Sequence, residues 1–298
     1  MSRHEITVCG SSANLGPGFD VLGLSVALTL HLEVETASAN SWSFAGEGTI
    51  KSDERNLVFE AFNAGFEALS LDPPPVAFRC HNAIPIGRGL GSSAAAIVGG
   101  LLAARCLGAE LTDQKMLELA SDLEGHPDNV AASLLGGLTL VAREGAGLHA
   151  RSIPFPREIA VVLLVPDQPS PTVQARAVLA SRIATEDAVF NLGRLAMLLA
   201  ALATGNYQDL RLGMQDRLHQ PARAALYPWL EEVMEAAIRS GSYGASLSGA
   251  GPSVLALTPT STAYQVGEAM RQAAEVAGAS AHEINTRPGT RPRVRRLD

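Results

Sequence analysis

Pro85-Ile86-Gly87-Arg88-Gly89-Leu90-Gly91-Ser92-Ser93-Ala94-Ala95-Ala96 is the stretch on which the reading of this chain turns. Three glycines alternate with other residues, two serines follow, and an alanine-rich helical run leads on to about Leu107. Alternating glycines reach backbone conformations that let successive N–H groups face one point. Ser92 and Ser93 fall where the helix N-cap is expected, beside the positive end of the helix dipole. Such a construction cradles phosphate. No Gly-Lys-Ser/Thr closes it, so it is not a Walker A loop. Ala94 stands where a dinucleotide-binding loop needs its third glycine.

The whole string resembles the second motif of the GHMP kinases, the superfamily of galactokinase, homoserine kinase, mevalonate kinase and phosphomevalonate kinase. Upstream, Glu5 to Cys9 reads as a short strand running into Gly10-Ser11-Ser12-Ala13-Asn14-Leu15-Gly16-Pro17-Gly18-Phe19-Asp20. Glycine, serine, asparagine and proline dominate that segment, which predicts an irregular loop of the kind that carries binding groups. It resembles the first motif of the homoserine-kinase family, with Cys9-Gly10 where that motif has Pro-Ala. Gly244-Ala245-Ser246-Leu247-Ser248-Gly249-Ala250-Gly251-Pro252-Ser253 is a second glycine-rich turn between strand-like runs, and it matches the superfamily's third motif.

Composition bounds the rest. A chain of 298 residues with 47% hydrophobic and 18% charged residues can build one large domain or two ordinary ones. A net charge of −7 argues against a nucleic-acid surface, although Arg287, Arg291, Arg293, Arg295 and Arg296 crowd the tail. That tail reads as a solvated or inter-strand segment. Three scattered cysteines fit a reducing, cytoplasmic setting, and no zinc spacing is present. No signal peptide is read at the start, and the longest candidate span, Ile159 to Val165, is far too short for a membrane.

Along the chain, Val21 to Glu35 is rich in strand formers, and Glu54-Arg55-Asn56-Leu57 opens an amphipathic helix with Asn56 as a candidate N-cap. Thr112 can cap a helix with Met116, Leu119, Ala120 and Leu123 on one face. Glu118 and Asp122 lie on the other, as an ordinary solvated pair would. Glu124-Gly125-His126-Pro127-Asp128-Asn129-Val130-Ala131 follows; a helix start explains Pro127 and Asp128 but not His126 and Asn129 together. This string also resembles the homoserine kinases. Prolines at 154 and 156 mark a plausible boundary, Ile159 to Val165 reads as a buried strand, and helical runs cover 188–202 and 229–238.

The resemblance spans Cys9 to Ser253 and implies an α+β, two-domain fold. Residues 1–156 would form a ribosomal-protein-S5-like, ATP-binding domain, and 157–298 a ferredoxin-like domain. It implies ATP and Mg²⁺ as cofactors, and L-homoserine, a small molecule phosphorylated on the way to threonine, as partner. A homodimer is the assembly it allows; no nucleic acid or membrane partner is expected. Pro85 to Ala95, with Asn56 near the adenine, would hold the nucleotide. Glu118, with Ser93 or Ser92, would hold Mg²⁺. Arg176 and Arg223 would pair the substrate carboxylate, as guanidinium geometry suits. Asp20 and Asn14 would take its ammonium, and Asn129 and His126 would orient its hydroxyl. Either Asp128 or a phosphate oxygen would accept the proton. Two alternatives stand beside this reading: another small-molecule GHMP kinase of mevalonate or shikimate type, and a non-catalytic sensor on the same fold. The intact Ser93, Glu118 and Asn129 count against the sensor.

Overall fold

The computed structural model describes residues 3–48, 56–145, 147–169 and 172–297; Glu54 and Arg55 of the expected helix start lie outside them. Elements run β1 (Arg3–Asn14), β2 (Gly18–Thr36), β3 (Ser41–Gly46), α1 (Leu57–Glu67), β4 (Val76–Asn82), α2 (Ser92–Cys106), α3 (Asp113–Glu124) and α4 (Asp128–Leu135). Then come β5 (Leu138–Glu144), β6 (Gly147–Ile153), β7 (Ile159–Pro166), α5 (Thr172–Ala177), α6 (Thr185–Thr204), α7 (Leu210–Gly213) and α8 (Gln220–Ala224). The chain finishes with α9 (Leu230–Arg239), β8 (Gly244–Leu247), β9 (Val254–Pro259), α10 (Ala263–Val276), β10 (Ala281–Thr286) and β11 (Arg293–Arg296).

Two sheets divide these strands. The first has the order β11-β1-β2-β4-β3, with β5 also on β2 and β6 on β5; the second has the order β10-β7-β9-β8. Only β3–β4 runs parallel among the described pairs. Helix α2 is buried over Ala94–Ala104, which explains why its small residues show no amphipathic stripe. Its Gly100 touches the Val58 backbone of α1, so an added Cβ would sit 2.3 Å from that carbonyl oxygen. Beneath α1, Phe59 and Phe62 meet Phe78 edge-on, with centroids 5.0 and 5.6 Å apart.

Two expectations need correcting. Gly10 to Asn14 are not irregular: they continue β1, pairing with β2 as far as Gly18 through register shifts at Cys9/Gly10 and Ala13/Asn14. Glycine and serine are poor strand formers, but bulges and a partner strand override propensity here. The irregular part is the tight turn between the two strands, with positive φ at Asn14, Leu15 and Gly16. Second, the longest apolar segment is α6, not Ile159 to Val165. Over its best eighteen residues the mean hydropathy is 1.4, enough by length and composition to cross a membrane, and here the helix packs on the domain through Asn191, Leu198, Ala201 and Leu202. The sheets change over between β6 and β7, and the arginine-rich tail returns to the first sheet as an inter-strand segment: β11 pairs with β1, and Arg295 bonds Glu5.

Candidate active site

The phosphate loop joins β4 to α2. Gly91, not a serine, is the N-cap of α2, with φ 68°. A Cβ there would lie 2.1 Å from Ser11 Oγ, so this position admits neither a side chain nor an L-residue's usual backbone. Ser92 and Ser93 therefore enter the first helical turn, leaving their hydroxyls available. Gly89, with φ 71°, is equally constrained: a Cβ would meet the carbonyl oxygens of Ser248 and Gly251 at 2.4 and 2.7 Å.

The three glycine-rich stretches brace one another around this loop. The N–H of Ser11 donates to Leu90 O at 2.9 Å, and the hydroxyl of Ser248 donates to Gly89 O at 2.7 Å. Gly249 N–H donates to Ala13 O at 3.1 Å. Arg88 ties the loop to the second sheet: its Nε donates to Pro166 O at 2.8 Å, and its Nη2 donates to Asp167 O. Together they enclose a cleft of about 370 Å³, to which Glu124, His126, Asn129 and Asn56 also contribute. Asn56 lines the cleft and is also the N-cap of α1, its side chain accepting the Val58 N–H at 2.9 Å. Ile86 to Ser93 line the cleft; Pro85 does not, and Ala94 and Ala95 are wholly buried in α2, with Ala96 at the wall instead.

Glu118 does not reach the loop. Its carboxylate accepts from Gln114 Nε2 at 2.8 Å, and that same amide nitrogen donates to Leu148 O on β6. Glu124 is the glutamate that meets the loop, with Ser93 Oγ donating to its Oε2. The two glutamates are six residues apart, about 1.7 helical turns, so they face different ways. Burial pushes the Glu124 carboxyl up, against the lowering effects of Ser93 and His126.

At the start of α4, Asp128 turns away from the cleft. Its Oδ1 accepts from the Asn129 N–H at 2.7 Å and pairs with His126 Nδ1 at 2.9 Å. Burial works against a charged His126, but the bond and charge of Asp128, with Glu124, outweigh it and raise the imidazole above its ordinary value. Asn129 does face the cleft, and its Oδ1 accepts from Ser11 Oγ at 3.0 Å. The charge of Arg176 is felt at His126, and it leads on to the residues expected to read the acceptor.

Those residues gather around Phe19. The guanidinium carbons of Arg176 and Arg223 lie 5.9 and 5.5 Å from its ring centroid. Arg176 Nη2 donates to Asp20 Oδ1 at 3.0 Å. Asn14 braces rather than faces the space: its Nδ2 donates to Gly249 O at 3.1 Å, and its Oδ1 accepts from the Asp20 N–H at 3.2 Å. Arg223 is 2% exposed. Its Nε donates to Ala175 O at 3.0 Å, and its Nη1 donates to Gly249 O at 2.9 Å and to His219 Nδ1 at 3.1 Å. Its partners among the described residues are thus carbonyls and an imidazole. Burial, and then the charge of Arg176, push its pKa down against the opposing charges of Asp20 and Asp216, neither of which it hydrogen-bonds. Ser11 and Glu124 lie inside stretches legible as motifs, but nothing in spacing alone singles them out, and His219 lies in no such stretch. A larger groove of about 760 Å³, walled partly by Met234 and Ile238, lies apart on α7, α8 and α9.

A glycine-rich phosphate cleft at a helix start, braced by two further glycine-rich turns and facing a paired-arginine site, defines a small-molecule kinase of the GHMP type. The N-terminal domain model of the GHMP kinases matches residues 56–137, and the C-terminal model matches 198–276. A homoserine kinase from Desulfitobacterium hafniense is 44% identical over 269 residues, covering 89% of this chain and 91% of that one. One from Gloeobacter violaceus is 47% identical over 274 residues, covering 89% and 91%. The solved homoserine kinase from Cytophaga hutchinsonii superposes with a TM-score of 0.87 at 28% identity, covering 98% of this chain and 97% of that one. A mevalonate kinase shares the fold, with a TM-score of 0.71 at 17% identity over 96% and 99% of the chains. The chain belongs to the GHMP kinases, and within them to the homoserine kinase family. It is an ATP-dependent kinase.

Proposed function

We propose that the chain transfers the γ-phosphoryl group of ATP to the side-chain hydroxyl of L-homoserine, giving O-phospho-L-homoserine for threonine biosynthesis in the cytoplasm. The observation that carries the acceptor assignment is the buried, anion-short Arg223 beside Arg176 and Asp20. Two cations and one carboxylate over an aromatic face suit a small zwitterion. Arg223 and Arg176 take the carboxylate, and Asp20, held by Asn14, takes the ammonium. The backbone of Gly87 to Ser93 receives the nucleotide phosphates at the start of α2.

Ser93 and Glu124 have the oxygen donors that Mg²⁺ takes when nucleotide phosphates complete its shell. When bound, the ion neutralises the phosphates' developing charge. Asn129 orients the hydroxyl from the start of α4, with His126 beside it. Asp128 is already engaged by His126 and the Asn129 N–H, which favours a phosphate oxygen as the proton acceptor. Residues 1–156 would form the nucleotide-binding unit and 157–298 the other, apart from the returning tail.

A coupled ATPase assay tests the acceptor. L-homoserine should turn over, whereas 4-hydroxybutyrate (no ammonium), 3-amino-1-propanol (no carboxylate) and mevalonate should be poor. Preference for mevalonate would favour a different GHMP kinase activity, and no turnover of any alcohol would favour the sensor.

A further inference from the structure

His219 lies one helical turn before Arg223 and is fully enclosed, at 0% exposure. Its Nε2 is 2.7 Å from Gly16 O, in the turn between β1 and β2, and its Nδ1 is 3.1 Å from Arg223 Nη1. A carbonyl only accepts and a guanidinium only donates. The two contacts together therefore fix the tautomer: Nε2 carries the hydrogen, Nδ1 is bare, and the ring is neutral. Phe19 packs against the imidazole with centroids 5.4 Å apart.

The backbone under the ring is held just as firmly. Asp216 Oδ2 accepts the N–H groups of His219 and Gln220 at 2.9 and 2.7 Å. Its Oδ1 accepts Leu218 N–H at 3.0 Å and Asn191 Nδ2 at 2.6 Å. Asn191, on α6, also accepts the Arg217 N–H at 2.9 Å and reaches Pro17 O at 3.4 Å. The first glycine-rich turn and α8 thus meet at the imidazole, while Asn191 of α6 steadies Asp216 and the backbone beneath it.

We propose that His219 is a positioning residue for acceptor recognition: as a neutral Nε2–H imidazole it spans Gly16 O and Arg223 and fixes the guanidinium that meets the substrate carboxylate. This rests on the reading of Arg223 given above. Protonating the ring would set one N–H against another and two cations face to face. The charged groups around the imidazole are Asp216, whose Oδ2 is 3.6 Å from Nε2, Arg223 and, from β2, Asp20. Burial, helped by Arg223, holds the ring below its ordinary pKa despite the two carboxylates.

The test uses the full chain, with kcat and KM for homoserine and for ATP measured from pH 5 to 8. The variants are His219→Leu, His219→Gln and Arg223→Leu, each checked by circular dichroism and ATP binding. Losing a hydrogen bond to a charged group should raise the homoserine KM of His219→Leu by ~10-fold or more, with ATP KM little changed. His219→Gln, whose amide can both donate and accept, should recover most of that loss. It should also lack the part of the rise in homoserine KM at low pH that the wild type owes to imidazole protonation. The proposal is overturned if folded His219→Leu keeps its homoserine KM, or if it loses kcat and both KM values alike. Should His219→Leu fail to fold, a wild-type pH profile in His219→Gln overturns it. An unchanged homoserine KM in Arg223→Leu instead removes the underlying reading of Arg223.

Discussion

Ser93, at the start of α2, donates its hydroxyl hydrogen to the carboxylate of Glu124, the last residue of α3. Two helices thereby place an oxygen pair at the mouth of the phosphate cleft. Glu124→Gln should keep the fold and lower kcat by ~10²-fold or more, as electrostatic groups of this kind are worth about 3 kcal/mol in the transition state. Glu118→Gln, at a half-buried position bonded to Gln114 and away from the cleft, should stay within about threefold of wild type. Steady-state kinetics at saturating Mg²⁺ checks both; the reverse ordering would restore Glu118.

Arg223→Leu should raise the homoserine KM far more than the ATP KM. A carboxylate left half paired in a closed site costs roughly 2–5 kcal/mol by analogy with buried charge pairs. Arg176→Leu should cost less, because Arg176 is the more exposed of the two and already shares its charge with Asp20. Equal effects on both substrates would mean that the arginines shape the fold rather than read the acceptor.

Asn129→Ala should lose about 10²-fold in kcat, the scale expected when a reacting hydroxyl is misplaced by about 1 Å. Asp128→Asn keeps the shape and most of the bonding, so its loss should be distinctly smaller. Single-turnover rates with both substrates saturating separate the two; a collapse confined to Asp128→Asn would make Asp128 the base.

Gly91→Ala should weaken both folding and nucleotide binding, because the new methyl would collide with Ser11 and the backbone would be held at an unfavourable φ. The strain alone is worth about 1–3 kcal/mol. Thermal melting with and without ATP measures it, and an unaltered melting temperature would show that the loop can relax.

His219 also makes a prediction about stability. A histidine in the unfolded chain titrates near about 6.5. Folding depresses this one, so below that pH the unfolded state binds more protons and stability falls as pH falls, until the folded ring itself protonates. Urea melts between pH 7.5 and 5.5 should show a steeper loss for wild type than for His219→Gln. Parallel curves would mean that the ring titrates alike in both states.

Much of this site could be read from residue order. The phosphate loop, its serines and the His126–Asn129 string are local, and their glycines and prolines state their conformations directly. What escaped was long-range. Which glutamate of α3 meets Ser93 depends on helical phase, so a small uncertainty in position turns Glu118 and Glu124 to different faces. The strand character of Gly10 to Asn14 comes from β2, not from those residues. His219 and Asn191 look unremarkable until folding brings Gly16, Pro17 and Asp216 beside them.

The returning tail sets the order in which the molecule can be finished. Beyond β11 itself, Gly289 N–H donates to Ser25 O at 2.8 Å, and Gly289 O accepts from Gly137 N–H at 3.0 Å. During synthesis β1 emerges long before β11, yet it waits for Arg293 to Arg296 to cover its open edge. Until those residues leave the ribosome, the early half presents an unpaired strand that can capture another chain. Cutting the chain near 156 would leave that same edge bare in the isolated nucleotide-binding half.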